Sequence, residues 1–339
     1  MKTVHVTNAV GLVLGQDLTR VVPGEFKGVA FHKGHIIQPE DIPVLLSMGK
    51  DHIYIIEIGP EDVHENTAAH QLSLLTAGEN IIQDDASEGK VNMRANTFGL
   101  LDIHVDKLLQ INEMVGVALS TLHSGTLVQK NELVATAKII PLTLPQSTLN
   151  QIEQLCTAEK IIKIRPLPEK KAGLVVTGNE VFYGRIKDKF EEVIKKKLSA
   201  FGSHLTKTIF VPDDANKISA AIQELSAEND VVFVTGGMSV DPDDVTPLAV
   251  RQTGANVIVY GTPVMPGAMF LLAYLEGTPI LGIPACGMFS KITVLDVLLP
   301  KVLIGDEITS RFIASLGHGG LCRTCPEGCR YPNCSFCKM

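Results

Sequence analysis

Two glycines, a serine and three acids follow one apolar run of the sequence. The run is Asp230–Val234, DVVFV, and the segment that continues it is Thr235–Pro247, TGGMSVDPDDVTP. Gly236 and Gly237 have no side chain, so the backbone can approach a ligand there and its N–H groups can donate to an anion. Carboxylates beside a phosphate are expected where Mg²⁺ is bound, because that ion combines carboxylates with phosphate oxygens. The segment therefore predicts a site for a phosphorylated ligand and a divalent cation.

Four other apolar runs end in similar polar or glycine-containing segments. They are TGNEV (Thr177–Val181), VPDD (Val211–Asp214), TPVMPG (Thr262–Gly267) and GIPACG (Gly282–Gly287). The carboxyl ends of parallel strands meet at one edge of a sheet, and ligands bind there. We therefore expect these segments to surround one site. The acids that are candidates for holding the cation are Glu180, Asp213, Asp214, Asp241, Asp243 and Asp244, and the candidate hydroxyl donors are Ser239 and Thr246.

Each of these motifs also has an ordinary structural interpretation. A Gly-Gly pair after a strand can be only a turn, and Asp213 and Asp214 can cap the helix that follows them. The common phosphate-binding patterns G-x-x-x-x-G-K-[ST] and G-x-G-x-x-G do not occur in the chain. The functional interpretation therefore depends on the five strand ends taken together.

Residues 172–305 alternate between apolar strands and amphipathic helices. The strands are short and apolar on both faces, which predicts an α/β domain whose mostly parallel sheet is covered by helices on both sides. The predicted helices include Ile186–Phe201 and, at the end, Gly287–Leu303. The charge run Lys187–Lys197, KDKFEEVIKKK, is interpreted as a solvated helix face.

The chain before this domain has the pattern of a smaller, β-rich mixed region. Residues 1–60 predict a small β/α region, and residues 61–165 predict a β-rich mixed domain and linker. Residues 61–77 have the apolar spacing of a helix, whereas residues 92–144 have the pattern of strands.

The composition is that of a globular protein. The 339 residues are enough for two or three domains, with 45% hydrophobic and 20% charged residues. The formal net charge of −7 argues against a nucleic-acid partner, which would need a basic face. The first residues make a poor signal peptide, and prolines, glycines and Glu276 interrupt the most apolar stretch, Pro263–Phe289. We therefore expect a cytoplasmic protein that does not cross a membrane.

Five of the seven cysteines lie within residues 317–339. They are Cys322, Cys325, Cys329, Cys334 and Cys337, and they form two C-x2-C pairs with one further cysteine between them. This spacing is typical of a thiolate site for Zn²⁺ or of an iron–sulfur cluster. Disulfides are not expected in a cytoplasmic chain. Residues 317–339 therefore predict a metal-binding tail, and the spacing leaves the metal open.

Residues 172–304 resemble the molybdopterin-binding domain of molybdenum-cofactor biosynthesis proteins. The resemblance rests on TGNEV, VPDD, TGGMSVDPDDVTP and PVMPG, in this order and spacing. The N-terminal part is similar to the flanking domains of molybdopterin molybdotransferases, the molybdenum insertases, in Ala9–Thr19 and Phe31–Ile55. The resemblance implies a three-layer α/β/α molybdopterin-binding domain, a phosphorylated pterin as ligand, and insertion of molybdate from the adenylated pterin with Mg²⁺. It also implies a homodimer.

The resemblance assigns roles to residues by their positions in these motifs. Glu180 and Asp244 match acids of the insertase site, and one of Asp213 and Asp214 matches a third, for which we take Asp214 as catalytic. Gly236, Gly237 and Ser239 match the phosphate-cradling loop. The other residues that we expect to bind the pterin, from their places at the strand ends, are Thr177, Gly178, Asn179, Asp213, Thr246, Pro266, Gly267 and Cys286. Cys286 can bind molybdenum as a thiolate, although the favoured interpretation is a small buried apolar residue.

Three functions remain open at this stage. Insertases carry lysines around the PG turn, whereas Met265–Met269 reads MPGAM and has no cation. The missing lysines favour a carrier or sensor that holds molybdopterin for a client molybdoenzyme, and the retained acids favour an insertase. A nucleotide pyrophosphatase on the same fold is the third possibility.

Overall fold

The computed structural model describes residues 2–22, 26–56, 61–238 and 244–338. The chain divides into two compact units, residues 1–165 and 166–339. Each unit has hydrophobic core clusters of its own. Among the described residues, no helix has both the length and the apolar character needed to cross a bilayer.

The first unit is rich in short strands. Its strands are β1 Lys2–His5, β2 Leu18–Val22, β3 Phe26–Phe31, β4 His52–Ile55, β5 Asp62–His64, β6 Ile81–Gln83, β7 Lys90–Ala95, β8 Gly99–Ile103, β9 Val117–Thr121, β10 Leu127–Val128, β11 Leu133–Ile139, β12 Thr143–Pro145 and β13 Ile162–Pro166. Its helices are α1 Asp41–Ser47, α2 Glu65–Thr76, α3 Val105–Asn112 and α4 Gln146–Cys156. An antiparallel sheet in the order β6-β7-β11-β9 shares a core cluster with α2.

Two sequence predictions for the first unit are wrong in detail. The helix expected from residue 61 begins at Glu65, because residues 62–64 pair as β5 with β12 and the His64 side chain accepts a bond from the N–H of Asn66. Residues 92–144 contain α3 as well as strands. The His104 side chain caps α3, a role that the strand-like apolar pattern does not reveal.

The second unit is built around one sheet. Its strands are β14 Lys171–Thr177, β15 His204–Val211, β16 Val231–Thr235, β17 Asn256–Tyr260, β18 Leu271–Leu275 and β19 Thr278–Ile283. Its helices are α5 Asn179–Phe182, α6 Phe190–Ser199, α7 Ala215–Glu228, α8 Thr246–Gln252, α9 Val294–Ile304 and α10 Ser310–Ser315. The strand order is β15-β14-β16-β19-β18-β17, in which the first four strands are parallel and β18 is antiparallel to both of its neighbours, β19 and β17.

Helices cover both faces of this sheet. Successive residues of a strand point to opposite faces, so Leu174 and Val176 join the core cluster with α6 and α9, whereas Val175 joins the cluster with α7 and α8. The prediction of a mostly parallel three-layer α/β/α domain is therefore confirmed. β18 and β19 are antiparallel neighbours joined through residues 276–277, and so form a hairpin.

Two helix predictions in the second unit need correction, and one helix was not predicted. The helix expected from Ile186 begins at Phe190, and the helix expected from Gly287 begins at Val294, after a 3₁₀ turn at Ala285–Met288. Thr293 and Asp296 form a capping box that fixes this second start. The short helix α10 follows α9 and was not expected from the sequence.

Candidate ligand site at the carboxyl edge of the sheet

A cavity of about 620 Å³ lies at the carboxyl ends of β14, β16 and β19. The last residues of these strands, Thr177, Thr235 and Ile283, all line it. Such a crevice is the expected ligand position in a parallel sheet. The sequence-predicted site residues that line the cavity are Thr177, Glu180, Gly236, Gly237, Asp244, Pro266, Gly267 and Cys286.

The remaining predicted residues of this site do not line the cavity or are not described. Gly178, Asn179, Asp213, Asp214 and Thr246 lie outside its lining. Ser239, Asp241 and Asp243 lie outside the described residues.

Asp213 and Asp214 make hydrogen bonds to backbone groups. The Asp214 carboxylate accepts from the N–H groups of Asn216 at 2.9 Å and Lys217 at 3.1 Å, and so caps α7. The Asp213 carboxylate accepts from the N–H of Asn179 at 2.9 Å, which ties the loop after β15 to the loop after β14. The described bonds fit the capping interpretation, and the catalytic role of Asp214 stays a prediction.

The Gly236–Gly237 turn requires glycine. Gly236 has φ +91° and Gly237 has φ +56°, in the left-handed region that favours glycine. A Cβ atom on Gly236 would lie 2.5 Å from the carbonyl oxygen of Thr177, closer than real Cβ contacts come. The Thr246 hydroxyl donates to the carbonyl of Gly236 at 2.9 Å. Thr246 therefore positions the turn, although it does not line the cavity.

The Thr177 hydroxyl has no hydrogen-bond partner within residues 61–238 and 244–338 or the other described ranges. Thr177 is 3% exposed, and its Oγ1 is a buried side-chain atom for which the described residues offer no partner. An unsatisfied buried polar group costs about 1–3 kcal/mol. A bound ligand with a polar atom near the Gly236–Gly237 turn would satisfy this hydroxyl, so the residues present fit a phosphorylated ligand.

Two carboxylates reach the cavity from different loops. A Cβ on Gly178 would lie 3.0 Å from Oε1 of Glu180, so the Glu180 carboxylate lies against the Gly178 backbone. Asp244 is half-buried, and its charge, together with the larger effect of burial, raises the pKa of the Tyr260 hydroxyl. Mg²⁺ takes one or two protein carboxylates besides phosphate oxygens and water, so this pair is compatible with it.

Two lysines line the same cavity and were missed by the sequence prediction. The Asp188 carboxylate accepts from the N–H groups of Phe190 at 3.0 Å and Glu191 at 2.9 Å, so α6 starts at Phe190 and the preceding residues form a loop. Lys187 and Lys189 lie on this loop, line the cavity, and have no ion-pair partner among the described residues. The sequence does contain a signal for this helix start, because Asp188 is followed three residues later by Glu191, a pattern typical of helix N-termini.

Cys286 lines the cavity from the 3₁₀ turn after β19. Burial raises the pKa of its thiol. The hydrogen bonds from the N–H groups of Cys286 and Gly267 lower this pKa, but by less than burial raises it. Its role as a molybdenum ligand stays a hypothesis.

The cysteine tail folds against the second unit. The N–H of Met265 donates to the carbonyl of Gly320 at 2.8 Å, and the N–H of Cys322 donates to the carbonyl of Met265 at 2.9 Å. Phe336 is buried in the core cluster that also contains α9. Burial, followed by the neighbouring Cys322 and Cys334, raises the pKa of the Cys337 thiol to about 11.

The tail cysteines are not gathered as metal ligands in the described part of the chain. All five are free, and no three His, Cys, Asp or Glu side chains come together in an arrangement that could hold a metal ion. The arrangement of these thiols does not fit a zinc or iron–sulfur site as it stands, and that site stays a prediction.

Two family models match parts of the sequence. Residues 3–57 match a family described as "Domain of unknown function". Residues 173–303 match a family described as "Probable molybdopterin binding domain". This segment belongs to the molybdopterin-binding domain family. The resemblance inferred from the strand-end motifs is confirmed for this domain.

Similar proteins match parts of this chain. A CinA-like protein of Desulfosudis oleivorans is 38% identical over 88 residues, 26% of this chain and 21% of that protein. A Methanocaldococcus jannaschii protein named for molybdopterin biosynthesis is 31% identical over 123 residues, 32% of this chain and 31% of that protein. The match therefore spans about a fifth to a third of the length of these relatives.

Solved structures show only weak similarity. A CinA protein of Thermoplasma acidophilum is 17% identical with a TM-score of 0.35, covering 40% of this chain and 98% of that one. The molybdopterin biosynthesis MoeA protein of Pyrococcus horikosii is 14% identical with a TM-score of 0.35, covering 89% of this chain and 74% of that one. These TM-scores are too low to support a residue-by-residue comparison.

Proposed function

We propose that the molybdopterin-binding domain holds molybdopterin, or its adenylate, in the cavity at the carboxyl edge, and that the protein inserts molybdate into it with Mg²⁺. The observation that carries the proposal is Thr177: it lines the cavity beside the Gly236–Gly237 turn, and its buried hydroxyl has no hydrogen-bond partner among the described residues. A phosphate oxygen of the ligand is a suitable partner for that hydroxyl.

The lining residues divide into groups that bind anions and groups that bind cations. Thr177 and the glycine turn hold a phosphate, and Lys187 and Lys189 supply positive charge that the MPGAM turn lacks. Glu180 and Asp244 hold Mg²⁺, which when bound neutralises the negative charge of phosphates and molybdate. The two lysines also answer the main objection to an insertase, the absence of lysines from the PG turn.

The test supplies the purified protein with adenylated molybdopterin, Mg²⁺ and molybdate. AMP release and retained molybdenum are then measured, the latter by elemental analysis. We expect AMP release coupled to molybdenum uptake in the native protein and neither in Asp244→Ala. Glu228→Gln, at the exposed end of α7, is the matched control and should behave as the native protein.

The same assay separates the alternatives. Tight pterin binding without turnover would identify a carrier, and its client molybdoenzyme would then have to be identified. Release of phosphate or a nucleotide from a nucleotide substrate, independent of molybdate, would identify a pyrophosphatase. Unchanged insertion by Asp244→Ala would remove that residue from the mechanism.

Three further predictions depend on separate measurements. A homodimer is tested by sedimentation of the purified protein, and a client enzyme by co-purification with a molybdoenzyme. Zinc or an iron–sulfur cluster in the tail is tested by elemental analysis and by the visible spectrum after anaerobic purification.

A further inference from the structure

A second cavity, of about 480 Å³, lies between the cysteine tail and the segment Phe289–Ile292. Pro266 lines both this tail cavity and the candidate pterin cavity. The preceding residue, Met265, is bonded through its N–H and carbonyl to Gly320 and Cys322 of the tail. The PG turn therefore borders both cavities, and the tail lines only the second one.

The charged residues that line the tail cavity are all basic. They are Lys291, Arg323 and Arg330, and none of the described lining residues is Asp or Glu. Arg330 forms an ion pair with Glu327 at 2.8 Å, so part of its charge is already compensated. Lys291 and Arg323 form no ion pair within the described chain. In a protein with a net charge of −7, a cavity with this lining favours an anion.

The uncharged part of the lining includes the rings of Phe289, Tyr331 and Phe336 and four cysteines of the tail, Cys322, Cys325, Cys329 and Cys334. Phe289 is 80% exposed and lines the cavity, so its ring has no packing role that would explain its position. Tyr331 and Phe336 pack edge to face, with ring centroids 6.3 Å apart. An exposed aromatic ring beside cations is typical of sites that stack a base and hold its phosphate.

The size of the cavity favours a nucleotide over a bare oxyanion as the ligand. Small-molecule sites have volumes of about 300–1,000 Å³ and combine apolar walls with a few polar groups. The tail cavity has this size and this lining. A lone tetrahedral anion would leave most of the aromatic wall without a contact.

We propose that the tail cavity binds a nucleoside monophosphate, with Lys291 and Arg323 on the phosphate and Phe289 against the base. This inference rests on the proposed function in one respect: the bound nucleotide is then the adenylate half of the adenylated pterin, whose pterin half lies across Pro266. The tail thereby contributes a binding surface for part of the substrate.

The experiment measures AMP binding to the full-length protein, with thiols kept reduced, by equilibrium dialysis or calorimetry. We expect one AMP per chain, and binding weakened about tenfold or more by Arg323→Gln and by Phe289→Ala, since each removes a charged hydrogen bond or a stacking contact. Arg311→Gln, an exposed arginine of α10 that does not line the cavity, is the matched control and should leave the affinity unchanged. Lys291→Gln replaces Arg323→Gln if that variant does not fold.

Three results would overturn the inference. The first is no AMP binding to the native protein, and the second is equal AMP affinity in the native and substituted proteins. The third is that inorganic phosphate or molybdate binds as tightly as AMP, with an affinity that Phe289→Ala does not change. Pterin binding is measured in parallel. AMP binding that depends on Phe289, without any pterin binding, would support the nucleotide site and refute the proposed function. Pterin binding without AMP binding would refute the nucleotide site and leave the proposed function in place.

Discussion

The buried hydroxyl of Thr177 has no hydrogen-bond partner in the described part of the chain, so a ligand role for it can be tested separately from a structural role. Replacing Thr177 by Val removes the unsatisfied group and keeps the shape of the side chain. We expect the free energy of unfolding of the unliganded protein to rise by about 1 kcal/mol, whereas the affinity for the pterin should fall. Urea unfolding and pterin titration of the same preparation check both parts.

Thr246→Val is the control for that prediction. The Thr246 hydroxyl already donates to Gly236, so its loss should lower the free energy of unfolding by about 1 kcal/mol. If Thr177→Val destabilised the protein as much as Thr246→Val, the Thr177 hydroxyl would have a partner within the chain, and the ligand role would lose its support.

Gly236→Ala tests the close approach of the glycine turn to β14. Gly236 and Gly254 have similar φ values, +91° and +85°, but a Cβ meets Thr177 at Gly236 and nothing within 4 Å at Gly254. The backbone conformation alone should cost either alanine about 1–2 kcal/mol. We expect Gly236→Ala to lower the thermal unfolding midpoint more than Gly254→Ala and to abolish pterin binding, and equal midpoints for the two variants would contradict the clash.

The residues of the site were predictable only where a local sequence pattern identifies them. Gly236, Gly237 and Glu180 follow directly from strand ends in a parallel sheet. Lys187 and Lys189 were assigned to a solvated helix, because a charge run fits a helix face as well as a loop. The missing partner of Thr177 depends on three-dimensional packing, which no sequence pattern contains.

At the scale of the element, the stability of α7 tests whether Asp214, which follows β15, acts as a helix cap. Asp214→Ala removes two bonds to backbone N–H groups and should lower the free energy of unfolding by about 1 kcal/mol. Asp214→Ser keeps a capping oxygen and removes the carboxylate, so it should retain most of the stability.

The insertion assay on Asp214→Ser separates a cap from a catalytic acid. Full molybdate insertion in a stable Asp214→Ser protein would show that the residue acts only as a cap. Loss of insertion with retained stability would support the catalytic role that the resemblance implies.

The elements themselves were predicted better than their ends. Apolar spacing located the strands and long helices of residues 172–305, because burial on both faces leaves a strong signal. The starts of α6 and α9 were misplaced because side chains of Asp188, Thr293 and Asp296 set them, and apolar spacing does not register such bonds.

At the scale of the whole molecule, one buried acid should link stability to pH. Glu65 at the start of α2 is 6% exposed, and burial raises its pKa above the usual 4.5, against the opposing charges of Lys138 and Lys33. Asp17 and Glu88 reinforce the increase. A carboxyl group with a raised folded-state pKa stabilises the fold while it is protonated, and this contribution disappears as the pH rises through that pKa.

Glu65→Gln should therefore stabilise the protein at pH 7 relative to the native chain, with little difference below the usual pKa of 4.5. Urea unfolding at both pH values measures the change, and Glu113→Gln, at an exposed position, serves as the control. A stabilisation of the same size at both pH values would show that the ionisation of Glu65 is not its source.

The order of strands in the second unit has a consequence for synthesis on the ribosome. β16 pairs on one side with β14 and on the other with β19, which begins at Thr278. Until residues 278–283 have left the exit tunnel, one edge of the central strand has no partner and can pair with another chain. A nascent chain stalled before Thr278 should therefore be prone to aggregation and should depend on chaperones, because neither the sheet nor its ligand cavity is complete.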